Sequence, residues 1–224
     1  MSPEKDSLEN RLNHVRGEIE VAARSVGRAA DELTLIVVTK FHPTSLIREL
    51  ESMGVTNIGE NRHQEAAQKF DELGDLELTW HFIGQLQTKK ARQVARYADV
   101  IHGIDRTGLV DALDGIDRKV DCFIQVNLTD DVGRGGVEPE NLLELTERVL
   151  ESSTLNLLGV MAVAPLDEPP RPAFARLRDY SDRVQTIAPW ATRISAGMTL
   201  DFADAIAEGA THLRIGSAIT GNRP

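Results

Sequence analysis

The chain has 224 residues, of which 41% are hydrophobic, enough for one large domain with a substantial core or for two small ones. Thirty-five acidic against 25 basic residues leave a net charge of −10, which argues against nucleic acid as a partner and points to a small molecule. The longest nearly apolar run, residues 155–166, is broken by Asn156 and Gly159 and falls short of the ~20 residues of a membrane span, and the polar start carries no secretory signal.

Leu8, Leu12, Val15, Ile19, Ala22, Ala23 and Val26 recur at helical spacing, predicting an amphipathic helix from residue 6 to about residue 30 that packs outside whatever follows. Residues 33–40 form an apolar, β-branched strand that ends in a lysine. Alternation puts Ile36, Val38 and Lys40 on one face. If that face is the core, Lys40 sits at the rim of an apolar interior, where desolvation lowers an amine's pKa and makes it a nucleophile. The plainer reading is a lysine that marks where solvent begins. His42-Pro43 breaks the strand, and a helix runs through Ile47 and Leu50 to Met53-Gly54.

Further strands are predicted at 55–61, 78–84, 100–105, 122–128, 155–163, 193–195 and 212–216, with helical segments up to 73, around 89–96 and at 109–113, 139–150, 173–187 and 200–208. Eight strands alternating with helices predict parallel β-α units in one domain spanning 1–224, a (β/α)₈ TIM barrel with an extra N-terminal helix. The competing doubly wound sheet lacks the glycine-rich turn of a dinucleotide site after its first strand. The single cysteine, Cys122, excludes an intrachain disulfide, fits a reducing cytoplasmic compartment and reads as a buried inert thiol.

Barrel chemistry sits at the carboxyl ends of the strands. Strand one ends in Lys40, strand two in Glu60-Asn61, strand three in His81-Phe82-Ile83-Gly84 and strand eight in Arg214-Ile215-Gly216-Ser217. The stretches 195–199 (Ser-Ala-Gly-Met-Thr) and 216–221 (Gly-Ser-Ala-Ile-Thr-Gly) put small residues and hydroxyls where helices start, which suits a phosphate. Either alone reads first as ordinary capping by Thr199 or Ser217; together, at neighbouring exits, they shift the reading toward phosphate. Arg214 suits a phosphate, an aromatic nitrogen or a salt bridge to a carboxylate. His81, between Trp80 and Phe82, reads as a satisfied histidine, and with no ligand cluster at metal spacing no metal site is expected. Residues 133–136 (Gly-Arg-Gly-Gly) lack the ending of a phosphate loop, and the basic run from Lys89 to Arg96 reads as a solvated face.

A lysine on strand one, hydroxyl-rich loops after strands seven and eight, and an arginine on strand eight resemble the pyridoxal phosphate homeostasis proteins, small single-domain relatives of the alanine racemase barrel. The resemblance runs from the turn at Val26 to Gly221 and rests on Val37-Val38-Thr39-Lys40, Ile58-Gly59-Glu60-Asn61, Trp80 to Gly84 followed by Leu86-Gln87 and Lys89 or Lys90, Gly159-Val160-Met161-Ala162, 195–199 and Arg214 to Ile219. It implies pyridoxal 5′-phosphate as cofactor, held as an internal aldimine on Lys40, with Asn61 near the ring, Ser195, Gly197, Thr199, Gly216 and Ser217 at the phosphate, Arg214 facing the pyridine nitrogen, and His81 and Met161 as pocket wall. Departures are Thr39 where serine is commoner, Ala196 for methionine, exchanged hydroxyl residues at Thr199 and Ser217, and Thr220 where an aromatic is usual.

The same resemblance implies a cytoplasmic, monomeric protein of vitamin B6 homeostasis without robust catalysis, able to serve pyridoxal-phosphate-dependent apoenzymes and with no nucleic acid or membrane partner. An arginine at the ring nitrogen makes the cofactor a weak electron sink, and the second base that racemisation draws from an added β-domain is not expected in this chain. The rivals are an amino-acid racemase with its second base from the pocket or a partner subunit, and a Schiff-base aldolase or sugar-phosphate isomerase without the cofactor.

Overall fold

Eight strands pair in chain order, each parallel to its neighbour, and the eighth returns to the first. They are β1 (Thr34–Val38), β2 (Asn57–Glu60), β3 (Thr79–Phe82), β4 (Val100–Ile104), β5 (Val120–Gln125), β6 (Leu155–Met161), β7 (Arg193–Ser195) and β8 (His212–Ile215), and they close a barrel. The computed structural model describes residues 7–129 and 131–222, so the expected helix start at Asp6 lies outside them. These residues form one (β/α)₈ domain, as the alternation of strand-length apolar runs and helices requires; a doubly wound sheet would have left two open edges. In register, Ile36 of β1 lies opposite Arg214 of β8, and Val38 lies opposite Gly59 of β2.

The helices are α1 (Leu8–Ser25), α2 (Thr44–Ser52), α3 (His63–Glu72), α4 (Ala91–Val94), α5 (Thr107–Leu113), α6 (Leu142–Leu150), α7 (Pro170–Gln185), α8 (Phe202–Ala207) and α9 (Ser217–Thr220). Outward strand residues such as Val37, Ile58, Ile101, Cys122 and Val160 join the apolar faces of these helices in one buried cluster. Cys122 is fully buried and its thiol pKa is pushed up by that burial, in keeping with an inert role. Inside the barrel Val100, Phe123 and Met161 pack together, and the rings of His102 and His212 lie 4.7 and 5.1 Å from that of Phe123. Apolar packing thus fills the outer layer, while the interior carries histidines.

The N-terminal helix packs outside the barrel as its periodicity predicts. α1 buries Leu8, Leu12, Val15, Ile19 and Ala23, each large aliphatic side chain worth roughly 1.5–3 kcal/mol, against α8 and α9. It is shorter than expected: the Arg28 N–H turns back to the Ala23 carbonyl (3.0 Å), and Ala30–Glu32 forms a separate 3₁₀ turn. Arg11 donates from Nε to the Ile219 carbonyl (2.7 Å), and Arg28 donates to the carbonyls of Ile206 and Ala210. The helix and the turn that follows it therefore brace the chain on either side of β8. Around 89–96 the structure has a 3₁₀ turn (Thr88–Lys90) and the four-residue α4 rather than one continuous helix. None of the helices described is long and apolar enough to cross a membrane.

Candidate functional site at the barrel mouth

Lys40 lies just past the end of β1 rather than within it. Thr39 still donates its N–H to the Gly59 carbonyl (3.0 Å), but the chain then turns, with the His42 N–H returning to the Thr39 carbonyl (3.1 Å). The turn puts Phe41 at φ 70°, a left-handed conformation that is strained for a bulky residue. Lys40, one residue before, is half-buried.

A buried ion cluster holds this turn from behind. Lys69 of α3 sends its ammonium to the Thr39 carbonyl (2.9 Å), to Glu60 Oε1 (2.7 Å) and to Glu65 Oε1 (2.7 Å). Glu65 in turn accepts from the Phe41 N–H, and Glu60 accepts from the Thr39 hydroxyl (2.7 Å). Arg62 lies over the Phe41 ring at 4.7 Å. Every peptide flanking Lys40 is thus tied to β2 or α3. Burial pushes the Glu60 carboxyl up, against Lys69 and Thr39, which favour its ionised form. Asn61, the next residue, has a buried Oδ1 that meets no donor among the described residues.

The exits of β7 and β8 lie on the other side of β1 from β2. Gly197 has φ 92°, and a Cβ there would stand 2.9 Å from both Phe202 Cα and Ala205 Cβ, so only glycine lets this loop lie on α8. Its carbonyl accepts from the Arg214 N–H (2.9 Å), which ties the two loops together. Thr199 is half-buried, Ser217 exposed and Gly216 half-buried at the start of α9. Burial pushes the Asp201 carboxyl up, against the Met198 N–H and the Arg214 charge that favour ionisation.

Arg214 is buried, and no carboxylate of the described residues forms an ion pair with it, so the salt bridge considered for it is absent there. Nη1 donates to Ser195 Oγ (2.6 Å) and Nη2 to the Ala162 carbonyl (2.9 Å). From Ser195 a chain of bonds crosses the barrel: His102 Nδ1 is 2.8 Å from Ser195 Oγ, His102 Nε2 is 2.9 Å from His81 Nδ1, and His81 Nε2 is 2.9 Å from Asn57 Oδ1. Burial holds the pKa of His81 down to about 3 and that of His102 well below its usual value, so both rings are neutral. A neutral ring has one donor and one acceptor. Asn57 Oδ1 accepts, so His81 carries its proton on Nε2; His102 must then donate from Nε2 and accept from the Ser195 hydroxyl. The donors all point one way, Arg214 to Ser195 to His102 to His81 to Asn57, an order in which each bond polarises the next.

Lys40, Asn61, Gly197, Thr199, Arg214, Gly216 and Ser217 are therefore all carried to the same end of the barrel, on β1, its two neighbours and the β7 exit. Two of the expected residues have partners inside the barrel. The Ser195 hydroxyl is bonded to Arg214 and His102, a role in the interior that the sequence did not suggest. His81 is not at the rim: its ring lies below it, bonded to Asn57 at the start of β2. Met161 packs inside the barrel with Phe123 beside Ser195 in register. Reading the sequence missed Lys69, Glu65, His102 and Asn57. Glu65 and Lys69 at i, i+4 on one helix were a visible signal for the first two.

A closed β/α barrel with a lysine at the exit of β1 and a buried arginine on β8 has the frame of the alanine racemase N-terminal domain, and that family's model matches residues 13–224. The chain is 40% identical over 221 residues to the pyridoxal phosphate homeostasis protein of Aquifex aeolicus, covering 95% of this chain and 97% of that one. It is 37% identical over 237 residues to the protein of the same name from Escherichia coli K12, covering 97% of each. The chain belongs to the pyridoxal phosphate homeostasis proteins, within the alanine racemase N-terminal domain family. Among solved structures, PipY of Synechococcus elongatus with PLP bound superposes with a TM-score of 0.83 at 32% identity, covering 96% of this chain and all of that one. Alanine racemase of Corynebacterium glutamicum shares the fold, with a TM-score of 0.73 at 14% identity and 61% of its chain covered.

Proposed function

We propose that the chain binds pyridoxal 5′-phosphate covalently, as a Schiff base on Lys40, and serves cofactor homeostasis by holding it without robust turnover. When bound, the group supplies an aldehyde for a primary amine and an electron-withdrawing ring. The residues at the mouth fit its chemistry. Arg214 offers only donors and suits a ring nitrogen; the unmet Asn61 Oδ1 suits a ring hydroxyl; Thr199, Ser217 and the backbone at Gly197 and Gly216 suit a phosphate.

One observation carries this reading: a buried arginine with no carboxylate partner among the described residues stands on the strand paired to the one that delivers Lys40. A desolvated cation with no carboxylate in ion-pair contact is costly, and a ligand acceptor at that position offsets the cost. The strained Phe41 turn, held by Lys69 and Glu65, supports a function for Lys40 itself. The names of the relatives and the PipY structure with PLP bound support the choice of cofactor.

Arg214 also bears on turnover. Its pKa, pushed down by burial to about 10, still leaves it charged at neutral pH. A ring nitrogen facing that charge stays unprotonated, which keeps the ring's electron demand weak. The proposal extends to a monomeric, cytoplasmic protein able to pass the cofactor to pyridoxal-phosphate-dependent apoenzymes. The test is the visible absorbance band of protein incubated with pyridoxal phosphate. The wild-type chain is expected to show the band and Lys40→Ala to lose it; a colourless wild-type protein would contradict the proposal. Chiral analysis of amino acids incubated with the loaded protein is expected to find no interconversion, whereas multiple turnovers would favour the racemase.

A further inference from the structure

Between the exits of β2 and β3 a cavity of about 400 Å³ opens beside Asn61, walled by Arg62, His63, Gln85, Gln87 and Lys90. Its size lies within the range of small-molecule sites. Its charge is unlike the rest of this acidic protein. Arg62 and Lys90 line it and no carboxylate does, whereas four other cavities each include at least one, among them Asp182, Glu168, Glu20 and Glu18. Among the described residues neither cation has an ion-pair partner: the Arg62 guanidinium lies over the Phe41 ring, and the Lys90 ammonium donates to Gln93 Oε1 (3.2 Å). The two cations also face the same space as His63, whose ring stacks on Tyr97 with centroids 6.0 Å apart and whose pKa is lowered by burial and then by the Lys90 charge. Gln85 and Gln87 add amide donors to the wall.

We propose that this cavity binds a small oxyanion, a carboxylate or a phosphate, between Arg62 and Lys90. In a chain with ten excess negative charges, two cations left without carboxylate partners around a hollow form a local positive site that an anion neutralises. The site lies on the β2 side of Lys40, away from the loops after β7 and β8, and of the residues assigned to the cofactor it shares only Asn61. The two cations that carry the proposal, Arg62 and Lys90, are not among the residues assigned to the cofactor. Its position gives the protein a means of holding an anionic small molecule beside the lysine.

The test is an NMR titration of the full-length protein with inorganic phosphate and, separately, with succinate, reading the ring signals of His63 at constant ionic strength maintained with sodium chloride. Saturable movement of the His63 signals is expected with at least one of the two, and the responding arm identifies the oxyanion. The apparent affinity is expected to fall at least tenfold in Arg62→Gln/Lys90→Gln and measurably in Lys90→Gln alone, and to persist in Lys40→Ala, where the covalent site is lost. No saturable movement with either anion, or a response undiminished in the double variant, meaning an adventitious ion only, would overturn the proposal. Neither result bears on the absorbance test of Lys40.

Discussion

Arg214 directs Nη1 at the Ser195 hydroxyl across 2.6 Å, so a buried charge is held by a neutral group that itself donates to His102. Ser195→Ala removes the acceptor for a charged donor and the donor for a buried ring at once. The expected loss is about 1–3 kcal/mol of stability, read from urea unfolding. Because Arg214 loses its support, pyridoxal phosphate affinity is expected to fall as well. An unchanged affinity would mean that the arginine is positioned without the serine.

Lys69 is the tie between α3 and the turn that carries Lys40. Lys69→Met leaves Glu60 buried without its cation and frees the Thr39 carbonyl, at an expected cost of about 3–5 kcal/mol. Combining it with Glu60→Gln neutralises the stranded charge, so the double variant is expected to be more stable than the sum of the single losses predicts. A double-mutant cycle of denaturant midpoints checks this. Additive losses would show that the pair is not coupled.

The interior histidines set an acid limit. Their folded pKa values are depressed, His81 to about 3 and His102 well below its usual value, while the unfolded chain titrates near 6.5. Below pH 6.5 the unfolded state therefore binds more protons, and stability that is complete above that pH is lost as pH falls toward 3. Each ring contributes a slope of up to about 1.4 kcal/mol per pH unit. Glu60, raised by burial, acts in the opposite sense, subtracting stability as pH rises through its window. Urea midpoints at pH 7.5, 6 and 5 are expected to fall steadily, and His81→Gln/His102→Gln is expected to flatten that dependence.

The loop hydroxyls are tested by a ligand that lacks the phosphate. Thr199→Ala and Ser217→Ala are each expected to weaken pyridoxal phosphate binding by about 0.5–1.5 kcal/mol while leaving capture of unphosphorylated pyridoxal unchanged. Equal effects on both aldehydes, measured by absorbance titration, would remove these hydroxyls from the phosphate.

The barrel was readable because strand-length apolar runs alternate with helices through the whole chain, and the outer helix because Leu8, Leu12, Val15 and Ile19 keep its period. The end of β1 was not, because the turn at Phe41 is imposed by Lys69 and Glu65 from a helix more than twenty residues on. Burial of a lysine is rare enough that an i, i+4 pair reads as a solvated one. Ser195 ends a three-residue strand, too short for alternation to say which way its hydroxyl points. His81 and His102 could not be joined by sequence alone, since a histidine in a strand reads equally as rim or interior until the register is known. Lys90 read as part of a basic solvated face; the turn at Thr88–Lys90 carries it to a cavity wall instead.

The most direct measurement of the central claim is mass spectrometry of the protein incubated with pyridoxal phosphate, reduced with borohydride and digested. The account predicts one phosphopyridoxyl group per chain, on the peptide containing Lys40, and none in Lys40→Ala. An adduct on another lysine with Lys40 unmodified, or no adduct at all, would contradict it.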